Sequence, residues 1–205
     1  RNVKLACWAR VWGVVLGALG CVGSGSRYGW LRRLVGAYVE AIRNTPLVGQ
    51  SYLLVFGLSS VGATMPIMVG AVLALVINIG AYTCEILRAG IESIHGGQIE
   101  AAECLGLSHV QILWHVVLRP AVERVWPALT SQFVLMMLAT SIMSSVGAEE
   151  LLGVATRIQS DTFRNFEVFL VLWGLYLALS YLLRTGFWLL GLMVFTRRRK
   201  LGTPL

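Results

Sequence analysis

Hydrophobic residues along this chain come in runs long enough to cross a lipid bilayer, separated by shorter polar segments. From Leu5 to Val22 the sequence is apolar apart from Arg10, and at about 1.5 Å per helical residue this just spans a hydrocarbon core of about 30 Å. Gly13, Gly17 and Gly20 recur at four- and three-residue spacing, a face on which a neighbouring helix can come close. Residues 44–84 hold no charged side chain. As one helix they would extend roughly 60 Å, about twice what a crossing needs, so the run must fold back. The turn-forming stretch Gly57–Pro66 (GLSSVGATMP) is where it does so, predicting a second span over 47–60 and a third over 66–87. Val125–Ala148 is again free of charge and predicts a fourth, with Pro127 tolerable in its first turn. Residues 168–196 predict a fifth. Between these last two, Glu149, Glu150, Arg157, Asp161, Arg164 and Glu167 make the chain too polar to lie across lipid.

Two polar stretches have a pattern of their own. Residues 23–43 are amphipathic, with Arg27, Arg32, Arg33 and Arg43 as the basic positions and Tyr28 and Trp30 suited to an interfacial belt. Residues 97–127 form a polar island between spans three and four, the loop as a whole covering 88–124. Ile99–Leu105 consists largely of strong helix formers, Gly106 suits a left-handed C-cap, and Ser108 caps a second helix through Leu118, closed by Pro120. Ala101 and Ala102 let another protein's surface approach closely, with Glu100 and Glu103 supplying charge at the edge. By composition alone the segment also reads as a solvated connector.

Composition places the chain in a membrane: 57% of its 205 residues are hydrophobic and 13% charged, about half the charge of a soluble domain. The excess charge of +7 is distributed so as to orient it. Arg27, Arg32, Arg33, Arg43, Arg88, Arg119, Arg124, Arg184, Arg197, Arg198, Arg199 and Lys200 fall on one side of a five-span arrangement, and only Arg1, Lys4, Arg10, Arg157 and Arg164 on the other. Basic residues stay inside, which puts the N-terminus out, the C-terminus in and the island in the cytoplasm. The chain opens on Arg1 rather than Met, implying a start upstream, and no cleavable signal peptide is visible. Two helices joined at a glycine also fit a DNA-reading helix-turn-helix. Tethered at the bilayer and carrying Glu100 and Glu103, such a pair is repelled by phosphate, so no nucleic-acid partner is expected.

Chemistry within the spans is sparse. Asn78, Tyr82 and Glu85 are spaced four and three apart, on one helical face, and Thr140 and Ser141 lie toward the outer end of span four. These are the candidate linings of a path for a small polar solute. Asn78 equally suits a hydrogen bond that holds helices together, and Glu85 equally suits an ion pair with Arg88. His95, His109 and His115 and the four cysteines have no metal-type spacing, so no metal is expected. No GxxxxGK[ST] phosphate loop is present.

Glu100-Ala101-Ala102, Gly106 and the later Pro120 resemble the cytoplasmic loop of ATP-binding-cassette importer permeases. Arg43-Asn44-Thr45-Pro46-Leu47, the stretch Asn78–Gly90 (NIGAYTCEILRAG), Thr140-Ser141 and Gly147–Leu151 (GAEEL) are similar to the polar-amino-acid subfamily, of the histidine and glutamine type. The resemblance covers most of residues 5–190. It implies an all-helical transmembrane permease domain over 1–205, multi-pass in a bacterial cytoplasmic membrane, in which 99–105 is a coupling helix held in the cleft of a cytoplasmic ATPase. Glu100, Ala101, Ala102 and Gly106 are the coupling positions carried over. It implies no catalysis by this chain, ATP and Mg2+ on the partner ATPase dimer, a second permease subunit and a solute-binding protein. Three departures stand out: Leu138-Ala139 replaces a Lys-Asp pair, Ala89 replaces a glycine, and Arg119 stands where proline is common. The loss of the charged pair is what a non-transporting membrane or receptor subunit would show. A proton-coupled carrier would instead need acids buried mid-span, where Glu85 stands alone and near an edge.

Overall fold

The computed structural model describes residues 2–60, 62, 65–148 and 150–195, with side chains from Arg10 onward. The described residues are helical, with no strand among them. In chain order the helices are α1 (Asn2–Ser24), α2 (Gly29–Arg43), α3 (Leu47–Ser60), α4 (Ile67–Glu92), α5 (Gly96–Cys104), α6 (His109–Val146), α7 (Leu151–Thr162) and α8 (Asn165–Val194). Three are long and apolar enough to cross a membrane, namely α4, α6 and α8. Helix α3, at about 21 Å, and the described apolar part of α1, Arg10–Ser24, are shorter. The basic tail Arg197–Lys200, Thr196, Glu149, Thr64 and the charges of Arg1 and Lys4 lie outside the described residues.

Helix α4 is the centre. Of its most apolar window 56% is buried, against 6% for α8. Helix α1 lies along it through the spaced glycines. A Cβ added at Gly13 would fall 2.7 Å from Ile79 Cβ, and one at Gly17 would fall 2.5 Å from Thr83 Cβ and 2.9 Å from the Gly80 carbonyl. No larger residue fits at this separation, which is how small side chains draw membrane helices together where hydrophobic exclusion supplies no force. Tyr38 on α2 donates its hydroxyl to the Ile77 carbonyl at 2.6 Å, pinning α2 against the same helix, with Val35 and Val39 buried beside Cys21 and Cys84. On the other side of α4, Val55, Ala71, Leu75, Ile79, Met136, Met143 and Val146 close a second cluster. Helix α8 docks on α6 through aromatic contacts. The Trp126 indole donates to the Phe187 carbonyl at 3.2 Å, and Phe133 stacks on Phe187 at 5.1 Å.

Helix α6 departs from the sequence expectation. Pro120 does not end the helix begun at Ser108, and Pro127 lies in a helix interior rather than in a first turn. The reason is a wide π turn over Ile112–Leu118, in which the Arg119 amide reaches back to the Trp114 carbonyl. That change of register leaves a donor-free position at Pro120, where no N–H exists. The island's second helix and the fourth span are therefore one 38-residue rod, about 57 Å long. It ends in a tight 3-10 turn over Thr140–Val146 and left-handed Gly147.

Replacing Gly17 by Leu is expected to lower stability by about 1–3 kcal/mol or more through overpacking. Gly174→Leu, where a Cβ meets nothing within 4 Å, is the control. Thermal unfolding of the detergent-purified protein should separate the two.

Candidate functional site

The polar island folds as a corner. Helix α5 ends at Cys104, Gly106 takes φ +74°, and the amides of Gly106 and Leu107 return to the carbonyls of Glu103 and Ala102 at 2.9 and 3.2 Å. This is a Schellman closure, in which a left-handed residue lets two otherwise orphaned carbonyls find donors. Ser108 then opens α6 with a reciprocal capping box to Gln111. The helix starts at Gly96 rather than Ile99. Glu100, Ala101 and Gly106 are exposed. Ala102 is not the surface residue that the sequence suggested. It is 4% exposed and packs with Ile94, Ile112, Val117 and Ala121, so its small size serves the corner's own core. Leu105, Val110 and Trp114 stand exposed around the corner. Their apolar character within a polar island was the available signal for them.

The candidate path residues divide. Asn78 and Tyr82 line a cavity of about 540 Å³ together with Arg43, Gln132, Ala139 and Ile142. Thr140 and Ser141 do not line it. On the helix they point away from the face that carries Ala139 and Ile142, and their hydroxyls donate to the Met137 and Leu138 carbonyls at 2.6 and 2.7 Å. Glu85 lies in an adjoining cavity of about 500 Å³ that shares Arg43 and Tyr82. It is paired as expected with Arg88, at 2.7 Å, and also with Arg43, at 3.1 Å. Arg88 extends the cluster to Glu92 at 2.6 Å, and the Arg43 guanidinium sits 5.7 Å from the Tyr82 ring centroid, within cation–π range. One floor of ion pairs therefore joins the end of α2 to α4. At the same level Arg124 on α6 donates to the Ser93 carbonyl at 2.6 Å.

Asn78 is held by an amide relay. Gln50 Nε2 donates to the carbonyls of Ile42 and Thr45 at 2.8 and 3.1 Å and to the Thr45 hydroxyl at 2.8 Å. Three acceptors fix that end, so Gln50 Oε1 must face Asn78, whose Nδ2 donates to it at 3.0 Å. The remaining atom, Asn78 Oδ1, is buried without a hydrogen-bond partner. A buried acceptor in that condition costs about 1–3 kcal/mol. The helix-holding role foreseen for Asn78 is thus filled by one end of its amide while the other is left open. Gln132, 9% exposed, was missed. Its signal was a polar amide inside an apolar span.

An all-helical bundle of membrane-length helices, with a partly buried cavity of mixed polar and apolar lining and an exposed capped corner, fits a transport permease. The family model described as the inner membrane component of binding-protein-dependent transport systems matches residues 12–196. The chain belongs to this family and is a multi-pass inner-membrane protein. It is similar to the octopine transport system permease protein OccM of Rhizobium radiobacter, at 31% identity over 97% of this chain and 86% of that one. It is also similar to the probable glutamine ABC transporter permease protein GlnM of Bacillus subtilis, at 35% identity over 76% and 72%. Among solved structures, an amino acid ABC transporter crystallised with histidines superposes with a TM-score of 0.85 at 33% identity, covering 92% of this chain and 88% of that chain.

Gly106→Ala is expected to cost the corner about 1–2 kcal/mol through left-handed strain. Amide exchange of residues 102–107 should quicken by roughly tenfold, at about 1.4 kcal/mol per decade.

Proposed function

We propose that this chain is one of two permease subunits in an ATP-driven importer of amino acids or related small polar solutes. It crosses the membrane five times, through α1, α3, α4, the upper part of α6 and α8, with its N-terminus outside and C-terminus inside. The single observation that carries the solute reading is the unpartnered Asn78 Oδ1 beside the cavity. It is an acceptor in want of an N–H, and a solute ammonium or amide supplies one. Gln132 offers a second amide, and Arg43 at the floor is the cation for a carboxylate. Among the described residues the lining holds no acid, and Ala139 stands where the resemblance has one. A solute with a cationic side chain has no counter-ion there, which favours zwitterions with neutral side chains. The names of relatives give amino acids, glutamine, L-cystine, octopine and nopaline as their solutes, which supports the wider class of amino acids and related small polar solutes.

The corner of α5 and α6 is the part a partner ATPase grips, with Glu100, Ala101 and Gly106 on its surface and Ala102 bracing it from beneath. Helix α6 runs unbroken from this corner to Gln132, Ala139 and Ile142 at the cavity. Movement of the corner is therefore delivered along one rod to the solute site, the rigid-body route that alternating access needs. The chain binds no cofactor of its own. ATP and Mg2+ sit on the ATPase dimer, and a solute-binding protein delivers from outside. Five helices are few to enclose a solute and shut on both sides, so a second permease subunit completes the path. Glu85, neutralised by two arginines, is poorly placed as the proton carrier of a secondary transporter.

Reconstituted with its ATPase and binding protein, Gly106→Asp or Glu100→Ala should abolish solute stimulation of ATP hydrolysis while membrane insertion is retained. Stimulation unchanged by both would overturn the coupling assignment. Asn78→Ala is expected to raise the KM for uptake by about ten- to a hundredfold, the loss of about 1.4–2.8 kcal/mol, with basal hydrolysis unaltered. Uptake competed equally well by cationic and neutral amino acids would overturn the solute class.

A further inference from the structure

A groove of about 730 Å³ lies between the end of α1 and the start of α2, away from the solute cavity. Its walls are apolar, with Leu16, Leu19 and Val22 on one side and Leu31 and Leu34 on the other, and Arg27 at its mouth. The size falls within the range of about 300–1,000 Å³ that holds a single bound molecule. No described residue fills it, and Leu19, Val22 and Leu34 are exposed.

The charge at the mouth is one-sided. Arg27 lines it and makes no salt bridge among the described residues. The first turn of α2 carries no acidic side chain. Tyr28 and Trp30, both about two-thirds exposed, set this end of α2 at headgroup depth, where amphipathic aromatic rings reside. An apolar slot at acyl-chain depth that opens on an unpaired guanidinium group at headgroup depth matches one chemistry. We propose that the groove binds an anionic phospholipid, an acyl chain lying between α1 and α2 and the phosphate meeting Arg27. Basic pockets between membrane helices on the cytoplasmic side recognise lipid headgroups in this manner. The site rests on the proposed topology, which puts Arg27 in the cytoplasmic leaflet, and on no step of transport. Bound there, the lipid wedges α2 against α4 beside the Tyr38 to Ile77 bond, and so steadies the helix that carries Arg43.

The test is native mass spectrometry of the purified permease complex titrated with dioleoylphosphatidylglycerol or dioleoylphosphatidylcholine. The expected result is preferential retention of the glycerol lipid. Arg27→Gln should weaken that retention by roughly fivefold, from about 1 kcal/mol per basic side chain at about 1.4 kcal/mol per decade. Val22→Trp, a change at an exposed wall position, should displace both lipids by filling the slot. Co-purification of the ATPase at wild-type yield serves as the folding control. Equal retention of the two lipids overturns the proposal. So does inorganic phosphate that displaces the lipid while the Val22→Trp variant still retains it, since Arg27 alone would then make an anion site. Disulfide formation between copies carrying Val22→Cys, with no lipid retained, would assign the groove to a second copy of the chain. Because the readout needs neither ATP nor solute, its failure is separable from failure of the importer reading.

Discussion

The close approach of α1 to α4 is the constraint on which the rest of the bundle hangs. Between membrane helices there is little to gain from hiding apolar surface, since lipid is as apolar as leucine, and association rests on packing and a few hydrogen bonds. Gly13 and Gly17 bring the backbone of α1 to where a single methyl group would collide with Ile79 or Thr83. With α4 gripped on that face, α2 is fixed by the Tyr38 hydroxyl, and the opposite face of α4 is free to carry Asn78 and Tyr82 toward the cavity. The cavity lies where it does because the other side of the helix is spent on structure.

The cavity and the corner look separate in the chain and lie along one continuous helix. A proline that should have divided the island from the fourth span is absorbed by a π turn, and the divide disappears. Below the cavity, Arg43, Glu85 and Arg88 tie α2 to α4, while Arg124 ties α6 to the end of α4 through Ser93. Movement at the corner meets a braced floor rather than loose loops. Wide turns of this kind cost little when the displaced carbonyls find other donors, and they recur where a helix must carry function.

Much of this was legible in the residues. The charge-free runs, the folding back near Gly57, the left-handed glycine at 106 and the amphipathic α2 follow from local rules of hydropathy and backbone sterics. The pairing of Glu85 with Arg88 follows from helical spacing alone. Less legible were Gln50 and Gln132, lone amides whose meaning depends on what stands opposite. Thr140 and Ser141 stand outside the cavity lining, their hydroxyls turned back to the Met137 and Leu138 carbonyls where the helix tightens.

By itself the sequence determined that this is a helical membrane protein and to which family it belongs, because those depend on composition and on motifs read a few residues at a time. Only the tertiary structure decided that Ala102 faces inward while Ala101 faces out, that Asn78 keeps one free acceptor, that Arg43 shares Glu85, and that Pro120 does not break α6. Each of these turns on which side chain lies across a helix interface. Such contacts join residues as far apart as 43 and 85, or 50 and 78, and no periodicity along the chain encodes which partner sits opposite.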